Sequence, residues 1–272
     1  MDQREQLRQA QLLITNEIKR VCELHNIHFF LDCGTLIGAV RHDGFIPWDD
    51  DIDLGMLRED YEKFLDIAPK ELRSDFFIDN YSTNQTYALV FSKVRLRGTK
   101  YIEAKGNAAA KHNEVFVDIF PYYEISDDER ERKKDGLKMG ILAQAIMSKS
   151  GYKVWKGDSF LKRLKFIPTD IIGAINSKDT LFKKVDRLYN KHHGTKCVCI
   201  QDGSKKSYLH WYIPKEYLAE LTEGKFEGYS FPIPKEYDKY LTIAYGDYMK
   251  IPPVEQQTTH MIKELDIGKY KF

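Results

Sequence analysis

The sequence predicts an α+β protein in which a mixed sheet is flanked by helices and carries a helical insertion. Three observations lead there. The chain opens on an amphipathic helical pattern, residues 27–125 alternate short strand-like runs with helical ones, and from Ser126 to His193 the spacing is helical. In the opening segment Leu7, Gln11, Ile14, Ile18, Val21 and Leu24 recur at steps of three and four, so their stripe is expected to pack on a sheet. His25 and Asn26 end that helix, IHFFLDCG gives a short strand running into Gly34 and Thr35, and TLIGAVRH gives one or two helical turns. Gly44 and Pro47 break the pattern ahead of WDDDIDLGM, which reads as a strand throughout. Tyr61, Phe64, Leu65 and Ala68 restore helical spacing, and FFIDNY, YALVFSKVRLR and EVFVDIFPYY follow as strand candidates.

The second half divides again. DDERERKKDGLKMGILAQAIMSKS and DTLFKKVDRLYNKHH are helical by period, separated by a loop around Gly151 to Asp158. From Lys196, KCVCIQ reads as a strand, and IPKE, FPIPKE and IPPV read as proline-marked turns. The expected organisation is a core over 1–125, a helical lobe over 126–195 and a C-terminal segment over 196–272 that packs back on the core, all in one structural domain.

Composition narrows the function. With 42% hydrophobic and 31% charged residues, the chain of 272 residues has the balance of a packed globular protein rather than of a disordered tail. Lysine and arginine number 42 against 41 aspartates and glutamates, so no global field draws it to nucleic acid. The four cysteines are too few for a disulfide framework and no signal-peptide pattern precedes them, so a reducing cytoplasm is the expected setting. VFVDIF and FIPTDIIGAI, the longest apolar runs, fall short of the roughly 20 residues a membrane span needs.

The most informative stretch is IPWDDDIDLG. On a strand, Asp49, Asp51 and Asp53 share one face while Asp50, Ile52, Leu54 and Met56 share the other. Like charges this close repel by roughly 1–4 kcal/mol per pair, so the group either takes up protons or binds a hard divalent cation. The apolar alternate face argues for a half-buried strand and favours the cation over a merely solvated acidic loop. An EF-hand is a further reading, since Asp49, Asp51, Asp53 and Asp60 fall at its positions 1, 3, 5 and 12. It fails at position 6, where Leu54 replaces the required glycine.

Two other places add to this. Gly34 and Thr35 end a strand and open a short helix, where backbone amides and a hydroxyl can meet phosphate oxygens. In EVFVDIF, Asp118 shares its face with Phe116 and Phe120, so its charge needs a partner, a metal or a cation such as Lys93 or Arg95. Lys93, Arg95 and Arg97 alternate along one strand face, as expected of a phosphate-binding stripe or of a charged sheet edge.

The order Gly-Thr, paired acids, later acid resembles the nucleotidyltransferase fold of the polymerase β superfamily. At family level, DCGTLIGAVRHDGFIPWDDDIDLGMLREDYEKF is similar to the signature of the LicD family, bacterial phosphorylcholine transferases with relatives among sugar-modifying animal enzymes. FSKVRLRGT, VFVDIFPYYE and IAYGDYMKIPP resemble its further motifs, while residues 126–193 match none; Ile37 and Asp43 depart from its commoner residues at no proposed ligand. The resemblance implies transfer of a phosphorylated alcohol, phosphorylcholine foremost, from a CDP-linked donor to a hydroxyl of a glycan or lipid-linked glycan such as a teichoic acid or lipopolysaccharide precursor. It implies magnesium, with manganese as the alternative. Asp51 and Asp53 match the paired metal ligands, Asp49 a further carboxylate, and Asp118 the later acid, as ligand or base. Arg41 and His42 point towards the phosphates by the motif's logic, with Gly34, Thr35, Lys93 and Arg95. A DxD glycosyltransferase remains an alternative, although it requires neither Gly34-Thr35 nor Asp118, and so does a non-enzymatic calcium-binding module.

Weaker signals complete the reading. His192, His193, Cys197 and Cys199 are irregularly spaced for zinc. Tyr208, Trp211 and Tyr212 could hold a quaternary ammonium through their faces, with plain core as the commoner outcome. The basic stretch 149–166 suits an anionic membrane surface, with a solvated helix face as the simpler reading.

Overall fold

A computed structural model describes residues 2–103, 110–152, 167–257 and 262–272. The basic stretch expected at a membrane surface lies outside the described residues from 153 onwards. In chain order the elements are α1 (Gln3–His25), β1 (Phe30–Leu31), α2 (Cys33–His42), β2 (Asp53–Leu57), α3 (Arg58–Glu71), β3 (Phe76–Asp79), β4 (Ser92–Leu96), β5 (Lys100–Glu103) and β6 (Phe116–Glu124). There follow α4 (Glu129–Lys149), α5 (Ile167–Ile175), α6 (Lys178–Tyr189), β7 (Cys197–Ile200), α7 (Ser207–His210), β8 (Ile213–Pro214) and α8 (Glu216–Ala219). The chain closes with β9 (Leu221–Phe226), β10 (Tyr229–Pro234), α9 (Tyr237–Tyr245) and β11 (Ile262–Asp266).

The central sheet is mixed, as expected, and runs β1-β2-β6-β4-β3, with β7 on the second half of β6 and β8 on β7. β2 and β6 are parallel, with Asp53 opposite Asp118; β4 is antiparallel to β6, with Lys93 opposite Asp118. β3 continues the row with Asp79 opposite Lys93. Because laterally paired residues share a face, Asp53, Asp118, Lys93 and Asp79 form one charged row across four strands. The register alone does this.

α1 begins at Asp2, whose carboxylate accepts from the Glu5 amide at 2.8 Å, and ends at Asn26 with φ +51°. Its predicted stripe, Leu7, Gln11, Ile14, Ile18 and Val21, is buried in the main core; Leu24 stays 62% exposed. A second apolar cluster gathers Tyr123, Leu142, Ile146, Leu181, Val185 and Tyr189 between β6 and the helices α4 and α6. Among the described residues no helix is long and apolar enough to cross a membrane.

Three readings need correction. The acidic strand starts only at Asp53. Ahead of it the backbone is held by side chains of α1 instead of a ladder: Arg8 donates to the carbonyls of Ile46 (3.0 Å) and Asp49 (2.7 Å), and Gln11 to that of Asp50 (3.0 Å). The stripe Lys93–Arg95 is no sheet edge, since β4 lies between β6 and β3 and both residues are 7% exposed. FPIPKE is not a turn. Its prolines sit in β10 of a two-stranded hairpin, where a missing N–H costs no interior ladder, and Glu227 and Gly228, both at positive φ, make the turn.

α1 is tied to the rest of the core by Glu17, which is fully buried. Its carboxylate accepts from Arg20 (3.0 and 2.8 Å), from the Arg73 amide (2.9 Å) and from Arg73 Nε (2.6 Å), which holds its pKa down at about 2 despite burial. Glu17→Ala is expected to lose about 2 kcal/mol of stability by urea denaturation at pH 7, because both guanidinium groups can recover water. A depressed carboxylate stabilises above its unfolded pKa, so the deficit should shrink as pH falls from about 4.5 towards 2. An unchanged midpoint at pH 7 would remove this tie.

Candidate active site

The acidic group assembles at the start of β2 and β6. The Asp118 amide donates to the Ile52 carbonyl at 3.1 Å, and the Asp53 amide donates to Thr35 Oγ1 at 2.9 Å. The structure thus brings Thr35, Asp53 and Asp118 together, with Asp51 close enough for its charge to act on Asp49, Asp53 and Asp118. Burial and the surrounding carboxylates push Asp53 well above the usual range. Asp49 is pushed up to about 8, by burial first and by Asp51 second. Asp118 is raised by burial, and the Lys93 ammonium, ion-paired to it, pulls the other way.

α2 abuts this group. Its first helical bond runs from the Leu36 amide to the Asp32 carbonyl at 2.9 Å, which leaves the Gly34 and Thr35 amides among the free donors of the first turn. A methyl group on Gly34 would stand 2.5 Å from Asp49 Oδ2, so glycine is required for the carboxylate to lie against that turn. Cys33, at φ +47°, holds a conformation that L residues rarely adopt. Asp32 fixes it. Its carboxylate is fully buried, accepts from the Cys33 amide (2.8 Å) and Tyr122 Oη (2.9 Å), and takes a third bond from Tyr240 of α9. Burial lifts Asp32 to about 6 against these donors.

The cations divide. Lys93 pairs with Asp118 and lies 3.4 Å from the Phe116 ring centroid. Arg95 gives Nε to Asp79 (2.6 Å) and Nη1 to the Glu114 carbonyl (2.7 Å), while Arg97 is exposed over Phe77. Arg41 and His42 are not drawn into the acidic group. Arg41 donates to His42 Nε2 at 2.9 Å and to the Tyr248 carbonyl; burial lowers it, and burial and Arg41 lower His42, with no carboxylate acting on either.

Sequence reading missed Asp32, Arg8 and the burden carried by Gln11. Asp32 stands immediately before a helical run, which is a capping signal. Gln11 was counted into an apolar stripe, where a polar residue needs a partner.

The weaker signals resolve as structure. His192 Nε2 meets Asp135 at 3.0 Å, burial pushes the thiols of Cys197 and Cys199 up, and neither cysteine joins a group of metal-ligand atoms among the described residues. Glu131, Asp135 and His192 do place ligand atoms within 4.8 Å of one another, but Lys191 Nζ sits among them, bonded to Asp135 (2.8 and 2.7 Å) and Glu131 (2.8 Å). Tyr208, Trp211 and Tyr212 form no cage: Tyr208 is buried, Trp211 packs on Tyr245, and Arg132 covers Tyr212.

Comparison with known proteins defines the class first. Residues 26–144 match the family model described as LicD/FKTN/FKRP, nucleotidyltransferase domain. Across 275 aligned residues the chain is 31% identical to the lipopolysaccharide cholinephosphotransferase LicD of Haemophilus influenzae, covering 95% of this chain and 97% of that protein. Over 103 residues it is 48% identical to the ribitol 5-phosphate transferase FKRP of Mus musculus, covering 38% of this chain and 18% of that protein. The chain belongs to the LicD family.

Raised carboxylates favour the folded state when protonated, so their contribution is present below an unfolded pKa of 3.8 and is lost as pH rises through the folded value, about 8 for Asp49. Asp49→Asn should therefore melt progressively higher than the parent between pH 5 and 9, measured by calorimetry in EDTA. A difference in Tm that does not change with pH contradicts the repulsion.

Proposed function

We propose that this protein is a metal-dependent phosphotransferase that moves phosphorylcholine, or a similar phospho-alcohol, from a CDP-linked donor to a hydroxyl of a cell-surface glycan precursor. The observation that carries the reading is the register Asp53–Asp118–Lys93, which sets two carboxylates and a cation side by side at the mouth of α2. The family and its full-length relative, named a cholinephosphotransferase, supply the reaction class, and a nucleotidyltransferase-like core is the fold this reading assumes.

The donor set is oxygen only and crowded with negative charge, as a hard divalent cation requires. Asp51 and Asp53 would hold magnesium or manganese, with Asp49 and Asp118 beside them. Bound there, the metal would neutralise the donor's diphosphate. The chain's own groups do the remainder. Lys93, with the amides of Gly34 and Thr35, grips phosphate oxygens. Asp118 takes the proton of the attacking hydroxyl as the new O–P bond forms and CMP leaves with the electrons of the broken one. The ion pair with Lys93 favours the ionised form of Asp118 against its burial, and Arg95 is the positioning partner of Asp79.

The test is a panel of CDP-alcohols, including CDP-choline and CDP-ribitol, with magnesium and candidate glycans, following CMP. Release that requires both metal and acceptor is expected, with Asp51→Asn and Asp53→Asn each losing about 1,000-fold or more at equal or higher Tm. Folded protein that releases no CMP from any donor overturns the reading. Turnover of a nucleotide sugar would favour a glycosyltransferase, and a melting shift with calcium alone a binding module.

A further inference from the structure

Cys33 opens α2 at φ +47°, which an L side chain reaches only at a steric cost, and Gly34 follows it within the helix. Two successive residues of opposite hand turn their amides to one side, as in the backbone concavities that hold anions. The amides concerned include those of Gly34 and Thr35, which the proposed function places on the donor's phosphates. The strained conformation is therefore the one the reaction would use, and something must hold it.

The nearest restraint is Asp32, whose carboxylate accepts from the Cys33 amide at 2.8 Å. It is fully buried, and among the described residues its other bonds come from neutral donors, the Tyr122 hydroxyl at 2.9 Å and the Tyr240 hydroxyl. Tyr240 of α9 is wholly buried too, and its hydroxyl also meets Tyr122 Oη at 2.7 Å. Later on the same helix, the Tyr245 hydroxyl lies against the Cys33 thiol. Arg41, in the last turn of α2, donates to the Tyr248 carbonyl just beyond α9. One short stretch, 240–248, thus restrains α2 at its cap, at its first residue and at its last turn. That stretch lies outside the matched family domain.

We infer that α9 sets the aim of the phosphate-binding turn, with Tyr240 as a positioning residue: its hydroxyl holds Asp32, Asp32 holds Cys33, and Cys33 presents the Gly34 and Thr35 amides to the donor's diphosphate. The inference deepens the proposed function and rests on it for the identity of the donor. Tyr240 touches no substrate; it acts through the backbone of residue 33. Glycine at that position reaches a positive φ without the steric cost, so it would not need the hold, and this makes the chain of contacts testable.

Tyr240→Phe and Tyr245→Phe are each made in the parent and in Cys33→Gly. In the parent, Tyr240→Phe should raise the KM for the CDP-alcohol about tenfold and Tyr245→Phe about threefold, with the acceptor KM changed by less than about twofold. In Cys33→Gly the same substitutions should move the donor KM by less than about twofold. A donor KM that does not move in the parent overturns the inference. So does a rise of equal size in both backgrounds, because a general loss of packing is indifferent to the residue at 33. Should Tyr240→Phe fail to fold, Tyr245→Phe, at a side chain 39% exposed, decides by the same criteria. Should the parent turn over no donor, the reaction fails separately, and the turn is read by hydrogen exchange at the Leu36 amide, which donates to the Asp32 carbonyl. Exchange about tenfold faster in Tyr240→Phe, with α4 unchanged and no such gain in Cys33→Gly, upholds the positioning role. An unchanged rate, or an equal gain in both backgrounds, overturns it.

Discussion

The parallel pairing of β2 with β6 forces Asp53 and Asp118 to be lateral neighbours. Backbone hydrogen bonds set this spacing, and they are indifferent to the charge of the side chains they align. Two carboxylates that would separate in a flexible chain are therefore held together, and burial raises both above their ordinary range, with the charges of Asp51 and Asp118 adding at Asp53 and that of Asp51 at Asp118. The antiparallel strand β4 then lays Lys93 beside Asp118 on the same row. One ladder creates the repulsion and the next supplies part of the compensation.

The repulsion is local, and its containment is not. Ahead of β2 the acidic segment has no strand partner, so Arg8 and Gln11 from α1 hold its carbonyls. α1 in turn is held by Glu17 to Arg73, beyond α3. On the other side Asp32 ties the strained turn at Cys33 to Tyr122 of β6 and Tyr240 of α9, so residues more than 200 positions apart in sequence meet behind the same corner. The first helix and the C-terminal region thus belong to the support of the acidic group, although the matched family domain spans residues 26–144.

Side-chain period carried the acidic site into view, because it needs only local sequence. Alternation put Asp49, Asp51 and Asp53 on one side and exposed the anomaly of Asp118 among apolar residues. It could not say which strands are neighbours, so a charged sheet edge stayed open beside a phosphate-binding stripe for Lys93 and Arg95, and the structure closes the edge by setting β4 between β6 and β3. Nor could it separate a strand from a segment pinned by side chains, so the run before Asp53 was taken as sheet. Arg41 and His42 show another limit: a motif gives order along the chain, and α2 carries them to its far end, where the Tyr248 carbonyl receives Arg41.

Tyr87 shows the limit most clearly. In sequence it is one of 17 tyrosines, flanked by Thr86 and Ala88, with no spacing that sets it apart. Only the fold buries it, and among the described residues none accepts from or donates to its hydroxyl. Tyr122 and Tyr240 are as deeply buried, but each hydroxyl is bonded to Asp32. The contrast is physical: a phenol bonded inside the protein repays its burial, and one left unbonded among the described residues is a cost that only the packed structure shows.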